Sequence, residues 1–504
     1  MKIDYIKKIL NAPVYDAAIE TPIDKANILS RRLGNRVLIK REDLQPVYSF
    51  KIRGAYNKMA QLTEEEKLKG VIAASAGNHA QGVALAAIKL NIKATIVMPV
   101  TTPAIKVDSV KANGSTVILF GDTFNEAYLH AVEIMKRENL TFIHPYDDPD
   151  VIAGQGTIGM EILRRYSEIP NVVFVPVGGG GLLAGISVYI KFLNPSVKIY
   201  GVEADDSACL KAAMDAGKRV KLDQVGIFAD GVAVNQIGEE TFRIIKDNID
   251  GVITVNTDEI CAAIKDIYDD TRSITEPAGA LAIAGLKKYV ESEQIKDQTL
   301  LAVNSGANIN FDRLRHISER TEIGEKREAI FAVEIPERAG SFKQFCTALH
   351  KRNITEFNYR FSSPEKALVF VGIQLDDPHE GRSLLYKDLT EMGYTINDLS
   401  DNEIAKLHIR HMVGGKAPEI KNEMVFSFEF PERPGALMKF LNGLGHNWNI
   451  SMFHYRNHGA AYGRVLAGLQ VDAEENTKVK EYLVQLGYSY KEITENIAYK
   501  LFLN

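Results

Sequence analysis

The nineteen residues from Val172 to Ile190 carry no charge, and an uncharged run of that length could cross a bilayer as a helix. Pro176 and four successive glycines, Gly178 to Gly181, stand in its middle and break it. The run is thereby narrowed to a strand over 171–177 (NVVFVPV), a glycine loop, and a helix over LLAGISVYIKFL. A strand that is apolar on both faces has to be buried on both, which a parallel sheet covered by helices provides. The same alternation recurs along the chain. VIAAS (71–75) precedes a helical AQGVALAAIKL and then KATIVMP (93–99); VKIYGVEA (197–204) and LLAVNSGAN (300–308) follow later. This order predicts an α/β fold with mostly parallel sheets.

Beyond a charged segment from Phe311 to Arg327, which reads as a helical connector, the chain repeats itself. FAVEIPERAGSFKQF (331–345) matches FSFEFPERPGALMKF (426–440) at a displacement of 95 residues, and NITEFNYR (353–360) matches NISMFHYR (449–456) at 96. Two copies differing by one inserted residue predict a duplicated module. Each copy reads strand, PER-x-G turn, helix, strand, strand, helix, strand, which is a ferredoxin-like βαββαβ unit. No cluster of His, Cys or carboxylates recurs in both copies, so the repeat carries no sign of catalysis.

A chain of 504 residues is too long for one core and implies about three domains. A net charge of −5 gives no electrostatic footprint for nucleic acid or an anionic membrane. Cys209, Cys261 and Cys346 lack metal-ligand spacing and read as buried free thiols in a reducing compartment. MKIDYIKKIL has no apolar export signal, so a cytoplasmic location is expected and no metal site is.

Three short motifs carry the chemistry. In SFKIRGA, Lys51 stands between Phe50 and Ile52. It is either a surface lysine with its stem laid on apolar neighbours, or a Schiff-base lysine whose burial keeps the amine neutral. SAGNHAQG (75–82) follows a strand and opens a helix, either as a turn capped by Asn78 or as an anion-receiving loop. His79 alone reads more readily as a structural histidine. VGGGGLLAG (177–185) suits a phosphate cradle because no Cβ blocks the backbone amides. Gly179, Gly181 and Ala184 also satisfy a G-x-G-x-x-A pattern with Glu203 about twenty residues on, which leaves a dinucleotide reading open.

Taken in order, these motifs resemble the tryptophan-synthase-like (fold type II) family of pyridoxal-phosphate enzymes. REDLQPVYSFKIRGAYN, SAGNHAQGVA, VIAGQGT, PVGGGGL, ADGVAV, EPAGA and NSGAN resemble the threonine dehydratases more narrowly. The duplicated tail is similar to the paired ACT-like domains of the long, biosynthetic form. The resemblance implies a catalytic domain over 1–325, with a smaller subdomain at roughly 50–150, and ACT-like domains over 329–401 and 424–494. It implies pyridoxal 5'-phosphate bound covalently to Lys51, with Asn78 on the cofactor's phenolic oxygen. Gly178, Gly179, Gly180, Gly181 and Leu182 would hold the phosphate, and Ser305 would face the ring nitrogen. Ser75, Gly77, Asn78 and His79 would receive the substrate carboxylate. Asn304 is a small departure, since relatives more often carry an apolar residue there.

The implied reaction removes water and then ammonia from L-threonine, and from L-serine too, in a homotetramer inhibited by isoleucine and relieved by valine. Tyr359, Arg360, Tyr455 and Arg456 are candidate effector residues. Two other readings stand beside it: a serine dehydratase, racemase or β-replacement enzyme on the same scaffold, and an amino-acid sensor without catalysis.

Overall fold

A computed structural model describes residues 4–165, 169–336, 341–349, 352, 354–359, 365–378, 380–411, 422–431, 436, 439–440, 448–456 and 461–503. The chain divides into two compact units between Phe311 and Asp312. Among the described residues no helix is long and apolar enough to cross a membrane. The run that raised that question is the strand Val172–Pro176 and the helix Gly181–Leu193.

The first unit is built on two sheets. One has six strands, in the order Ile23–Lys25, Arg36–Arg41, Thr299–Asn304, Val172–Pro176, Lys198–Ala204 and Gly251–Val255. Its first pair is antiparallel and every other pairing is parallel. The other sheet is wholly parallel, in the order Thr116–Leu119, Ala94–Met98, Val71–Ala74 and Thr141–Phe142. Val71–Ala74 and Val172–Pro176 are buried along their whole length, as their unbroken apolar sequence requires.

Six helices matter for the site: α1 (Lys51–Ala60), α2 (Asn78–Leu90), α3 (Pro149–Arg165), α4 (Gly181–Leu193), α5 (Cys209–Ala216) and α6 (Pro277–Glu293). From α1, Ile52, Ala55 and Met59 join Val71, Ala73 and Val83 in the core of the four-stranded sheet. From α3, Ile152, Ile158 and Ile162 join Val173, Val175 and Leu301 in the core of the six-stranded one. The helices meet where a Cβ on Gly154 would fall 2.5 Å from the carbonyl oxygen of Arg53, so only glycine allows the two backbones to touch.

The second unit opens with the helix Arg313–Gly324, where the charged connector was expected. Two antiparallel four-stranded sheets follow. The first orders its strands Ile354–Tyr359, Lys366–Gln374, Glu328–Pro336, Thr395–Asp398; the second orders them Asn449–Arg456, Tyr462–Gln470, Glu423–Pro431, Ser489–Glu492. In both, the first strand in sequence lies between the third and the fourth, the ferredoxin-like arrangement expected from the repeat. Each sheet is followed in sequence by a short helix, Glu403–Leu407 or Ile497–Phe502, capped by Asn402 or Asn496. Ile404 and Ala405 meet Ala498 and Tyr499 in one apolar cluster with Ile330, Ala332, Val425 and Leu466, so the two sheets share a core.

The repeat also holds a matched polar pair that its sequence did not announce. A register shift falls at Thr355 in one copy and at Ser451 in the other. The two hydroxyls donate to Glu328 and Glu423, the first residues of the equivalent strands.

Candidate active site

Lys51 is the first residue of α1, and Phe50 before it offers no side-chain cap. The lysine is half-buried, and its ammonium end is turned inward. Nζ donates to the carbonyl oxygen of Pro145 at 2.9 Å and lies 5.1 Å from the centre of the Phe50 ring. Burial lowers its pKa to about 8, against the opposing pull of the Glu276 carboxylate. A lysine so placed is about a fifth neutral near physiological pH, far more than at its ordinary pKa of 10.5, and that neutral fraction is what a Schiff-base lysine needs.

Asn78 opens α2 and has a fixed amide. Its Nδ2 donates to Glu276 Oε1 at 2.5 Å, and its Oδ1 accepts from Asn308 Nδ2 at 2.6 Å. One of its two amide N–H groups is therefore left for a ligand. The first intrahelical bond of α2 runs from Gln81 N to Gly77 O, so the N–H groups of Asn78, His79 and Ala80 form the open end of the helix. A Cβ on Gly77 would meet nothing within 4 Å, which marks open space there. Ser75 accepts from Gly77 N at 3.2 Å and shapes the turn. His79 contributes backbone only, because its buried ring pairs through Nε2 with the carbonyl oxygen of Ile143 at 2.8 Å. Burial, aided by the Lys51 charge, lowers the His79 pKa to about 3 and keeps the ring neutral.

The glycines lie where the strand Val172–Pro176 turns into α4. Gly180 takes a left-handed backbone with φ of +91°, and Gly181 and buried Leu182 form the first turn of the helix. A Cβ on Gly179 would stand 2.2 Å from the ring of Tyr146, so the close cover of that ring requires glycine. Neighbouring residues thus join two of the expected elements: Pro145 holds the lysine and Tyr146 covers the loop. Ser305 is buried, and its hydroxyl lies 3.3 Å from the carbonyl oxygen of Ala278 near the start of α6. Its own carbonyl accepts from Phe50 N at 3.2 Å, one residue before Lys51. Lys51, Asn78, the loop 178–182 and Ser305 are therefore assembled by contacts that run through Glu276, Pro145 and Tyr146.

Those three connecting residues were missed in the sequence. Glu276 stood in the EPAGA motif as a letter without a role; it sits just before α6 without capping it through its side chain, and its carboxylate faces both Asn78 and Lys51. Pro145 acts through a carbonyl, which has no side-chain signature. His144, beside it, accepts on Nδ1 from the amides of Tyr146 and Asp147 at 3.2 and 2.7 Å, and burial lowers its pKa to about 4.

The dinucleotide alternative fails on Glu203. Its two oxygens accept from Leu210 N and Lys211 N, both at 2.8 Å, so this carboxylate caps α5 and is not free for a ribose. Burial raises its pKa to about 7. Cys209 and Cys261 are buried thiols outside any disulfide, as expected, and the side chain of Cys346 lies outside the described residues. Among the described residues no group of His, Cys and carboxylates could hold a metal ion. Tyr359 ends one strand opposite Val369, and Tyr455 and Arg456 end the equivalent strand opposite Val465 and Arg464. Their side chains, and the whole of Arg360, lie outside the described residues.

A phosphorylated aldehyde cofactor fits these residues. The desolvated lysine suits its aldehyde, the glycine turn and the opening amides of α4 suit its phosphate, and a spare amide hydrogen on Asn78 suits its ring oxygen. Comparison with known proteins agrees. Residues 14–306 match the family described as pyridoxal-phosphate dependent enzyme, and 319–409 and 414–503 match the C-terminal regulatory domain of threonine dehydratase. The biosynthetic L-threonine dehydratase of Burkholderia multivorans is 54% identical over 99% of both chains. That of Escherichia coli is 53% identical over 99% of this chain and 97% of its own. A solved structure, the processed form of threonine deaminase isoform 2 from Solanum lycopersicum, has 53% identity and a TM-score of 0.62, covering 62% of this chain and 92% of that one. With a cofactor lysine, a phosphate turn and a duplicated regulatory tail in one sequence, this chain belongs to the pyridoxal-phosphate-dependent enzymes and, within them, to the biosynthetic threonine dehydratases.

Proposed function

We propose that the protein converts L-threonine to 2-oxobutanoate and ammonia, the opening step toward isoleucine, and that isoleucine inhibits it and valine relieves the inhibition. The observation that carries the catalytic reading is the environment of Lys51: its amine is turned inward onto the Pro145 carbonyl, without an ion-pair partner at hydrogen-bond distance among the described residues, and its pKa is lowered by burial to about 8. Bound there, pyridoxal phosphate supplies an electron sink conjugated to the substrate's α-carbon.

The chain's own residues do the rest. Lys51 bonds the cofactor, and once displaced by substrate its neutral amine takes the proton from the α-carbon. Gly178 to Leu182 hold the phosphate, and Asn78, locked between Glu276 and Asn308, orients the ring through its spare amide hydrogen. Ser305 would hold the ring nitrogen with a neutral hydroxyl, which cannot keep a proton on that nitrogen as a carboxylate would. Such a partner would draw less negative charge into the ring and so would favour loss of the β-hydroxyl over transamination. Ser75, Gly77 and the amides of Asn78 and His79 receive the substrate carboxylate at the positive end of α2.

Serine lacks only the γ-methyl, so it reacts with a penalty of about 1–3 kcal/mol. The paired ferredoxin-like modules take the effectors, with Tyr359, Arg360, Tyr455 and Arg456 at their sites, in a cytoplasmic homotetramer whose catalytic domain runs over 1–325 and whose modules run over 329–401 and 424–494. Coupling of this kind amounts to about 1–3 kcal/mol between two states.

The test is 2-oxobutanoate formation from threonine, with and without isoleucine. Turnover that isoleucine suppresses and valine restores is expected; absence of turnover by cofactor-loaded protein would overturn the catalytic half. Turnover indifferent to isoleucine would overturn the regulatory half. Unchanged inhibition in both Arg360→Ala and Arg456→Ala would remove those residues from the effector sites.

A further inference from the structure

Away from the site just described, the first unit hides a second concentration of charge. Lys40, Glu42, Arg53 and Glu161 are fully buried, two cations facing two carboxylates. Arg53 grips both acids: Nε and Nη2 donate to the two oxygens of Glu42 at 2.8 and 2.9 Å, and Nη1 and Nη2 to those of Glu161 at 2.6 and 2.9 Å. Lys40 Nζ donates to Glu161 Oε2 at 2.5 Å and to the carbonyl oxygen of Thr21 at 2.7 Å. The hydroxyl of Tyr15 completes Glu161 at 2.8 Å, and that of Thr21 completes Glu42 at 2.5 Å.

Stability is a poor reason for such a cluster. Taking four ions out of water costs about as much as their attraction returns, and apolar side chains of similar volume commonly hold a fold as well. What the cluster supplies is geometry, because a planar guanidinium gripping two carboxylates accepts one arrangement of the elements that carry them. Lys40 and Glu42 belong to the strand Arg36–Arg41 and the turn after it, Arg53 to α1, and Glu161 to α3. Arg53 lies in the first turn of α1, two residues beyond Lys51, and that turn has no side-chain cap. Its main chain is also the point that α3 touches through Gly154. The start of α1 is thus located twice at one residue. Since α1 packs on the four-stranded sheet and α3 on the six-stranded one, Arg53 is also the joint between the parts that bring Ser75 to His79 and Gly178 to Leu182 to the site.

We propose that the Lys40–Glu42–Arg53–Glu161 cluster is a positioning device that fixes Lys51 against the glycine loop, acting on the reaction through that lysine without touching substrate or cofactor. The proposal rests on the role given to Lys51 above.

The test uses the full-length protein and three variants: Tyr15→Phe, Arg53→Lys, and the neutral pair Lys40→Met with Glu161→Met. Three quantities are read: the thermal midpoint, the rate at which cofactor-stripped protein regains the lysine–cofactor absorbance when pyridoxal phosphate is added, and kcat against KM for threonine. Misplacing a reacting group by about an ångström costs on the order of 100-fold. Arg53→Lys and the double variant are therefore expected to lose about 10–100-fold in kcat and in the rate of bond formation, with KM nearly unchanged. Tyr15→Phe, which removes one hydrogen bond, is expected to fold with its midpoint lowered by no more than about 4 °C and to lose about 2–5-fold in both rates. If Tyr15→Phe and every other variant that folds match the parent in both rates, the proposal is overturned. Failure of the Lys51 assignment shows separately, as absorbance that survives in Lys51→Ala of the parent.

Discussion

Lys40 and Lys51 lie in one unit, both lose water from their ammonium groups, and burial lowers the pKa of both. Their surroundings divide them. Lys40 has Glu161 at 2.5 Å and Glu42 at 3.8 Å and is tied down as a cation. Lys51 bonds to a neutral group, the Pro145 carbonyl, and among the described residues the carboxylate that raises its pKa is Glu276. Burial by itself therefore does not make a nucleophile of a lysine; withholding the counter-ion does. The two side chains mark a division of labour, with paired charge spent on geometry and unpaired charge kept for chemistry.

The largest effect that could break this contrast is on stability. Lys40→Ala leaves two buried carboxylates short of a cation and is expected to cost about 3–5 kcal/mol in urea unfolding of the cofactor-free protein. Lys51→Ala removes an amine whose burial disfavours the folded state at neutral pH, and it is expected to leave stability unchanged or to raise it. Equal losses would mean that both lysines are structural. Next in size is Gly179→Ala, whose added methyl meets the Tyr146 ring at 2.2 Å. Overpacking there is expected to cost about 1–3 kcal/mol and to weaken cofactor binding, read by fluorescence titration.

The smallest effect is in pH dependence. The folded pKa of Lys51, about 8, lies below its ordinary value of 10.5. The unfolded chain therefore binds more protons than the folded one between those values, and the stability of cofactor-free protein is expected to rise with pH across that window. Bond formation with added cofactor needs the neutral amine of stripped protein, so its rate is expected to rise with pH with a midpoint at about 8. Glu276 raises the Lys51 pKa, so Glu276→Gln is expected to move that midpoint to lower pH. A midpoint that stays or moves upward would remove Glu276 from the account.

The sequence reading reached the elements whose pattern is local. The strand expected over 171–177 is Val172–Pro176, and the helix after the glycines begins at Gly181. The order of strands in the repeat followed from its turns and alternation. The strand Arg36–Arg41 was not expected, since only Val37 to Ile39 in it are apolar and charges stand on either side. Those that follow are buried, and what neutralises Lys40 and Glu42 is Arg53 and Glu161, which no local pattern connects to them. The two-residue strand Thr141–Phe142 is too short to leave a periodic signal. In the site, the motifs located Lys51, Asn78 and the glycines but not what joins them. Pro145 works through a carbonyl, and Glu276 works only because folding sets α6 against α2.

The most direct measurement is borohydride reduction of the cofactor-loaded protein followed by peptide mapping. The account predicts the reduced cofactor on the peptide that carries Lys51 and none on the one that carries Lys40. Label on another lysine, or on none, would contradict it.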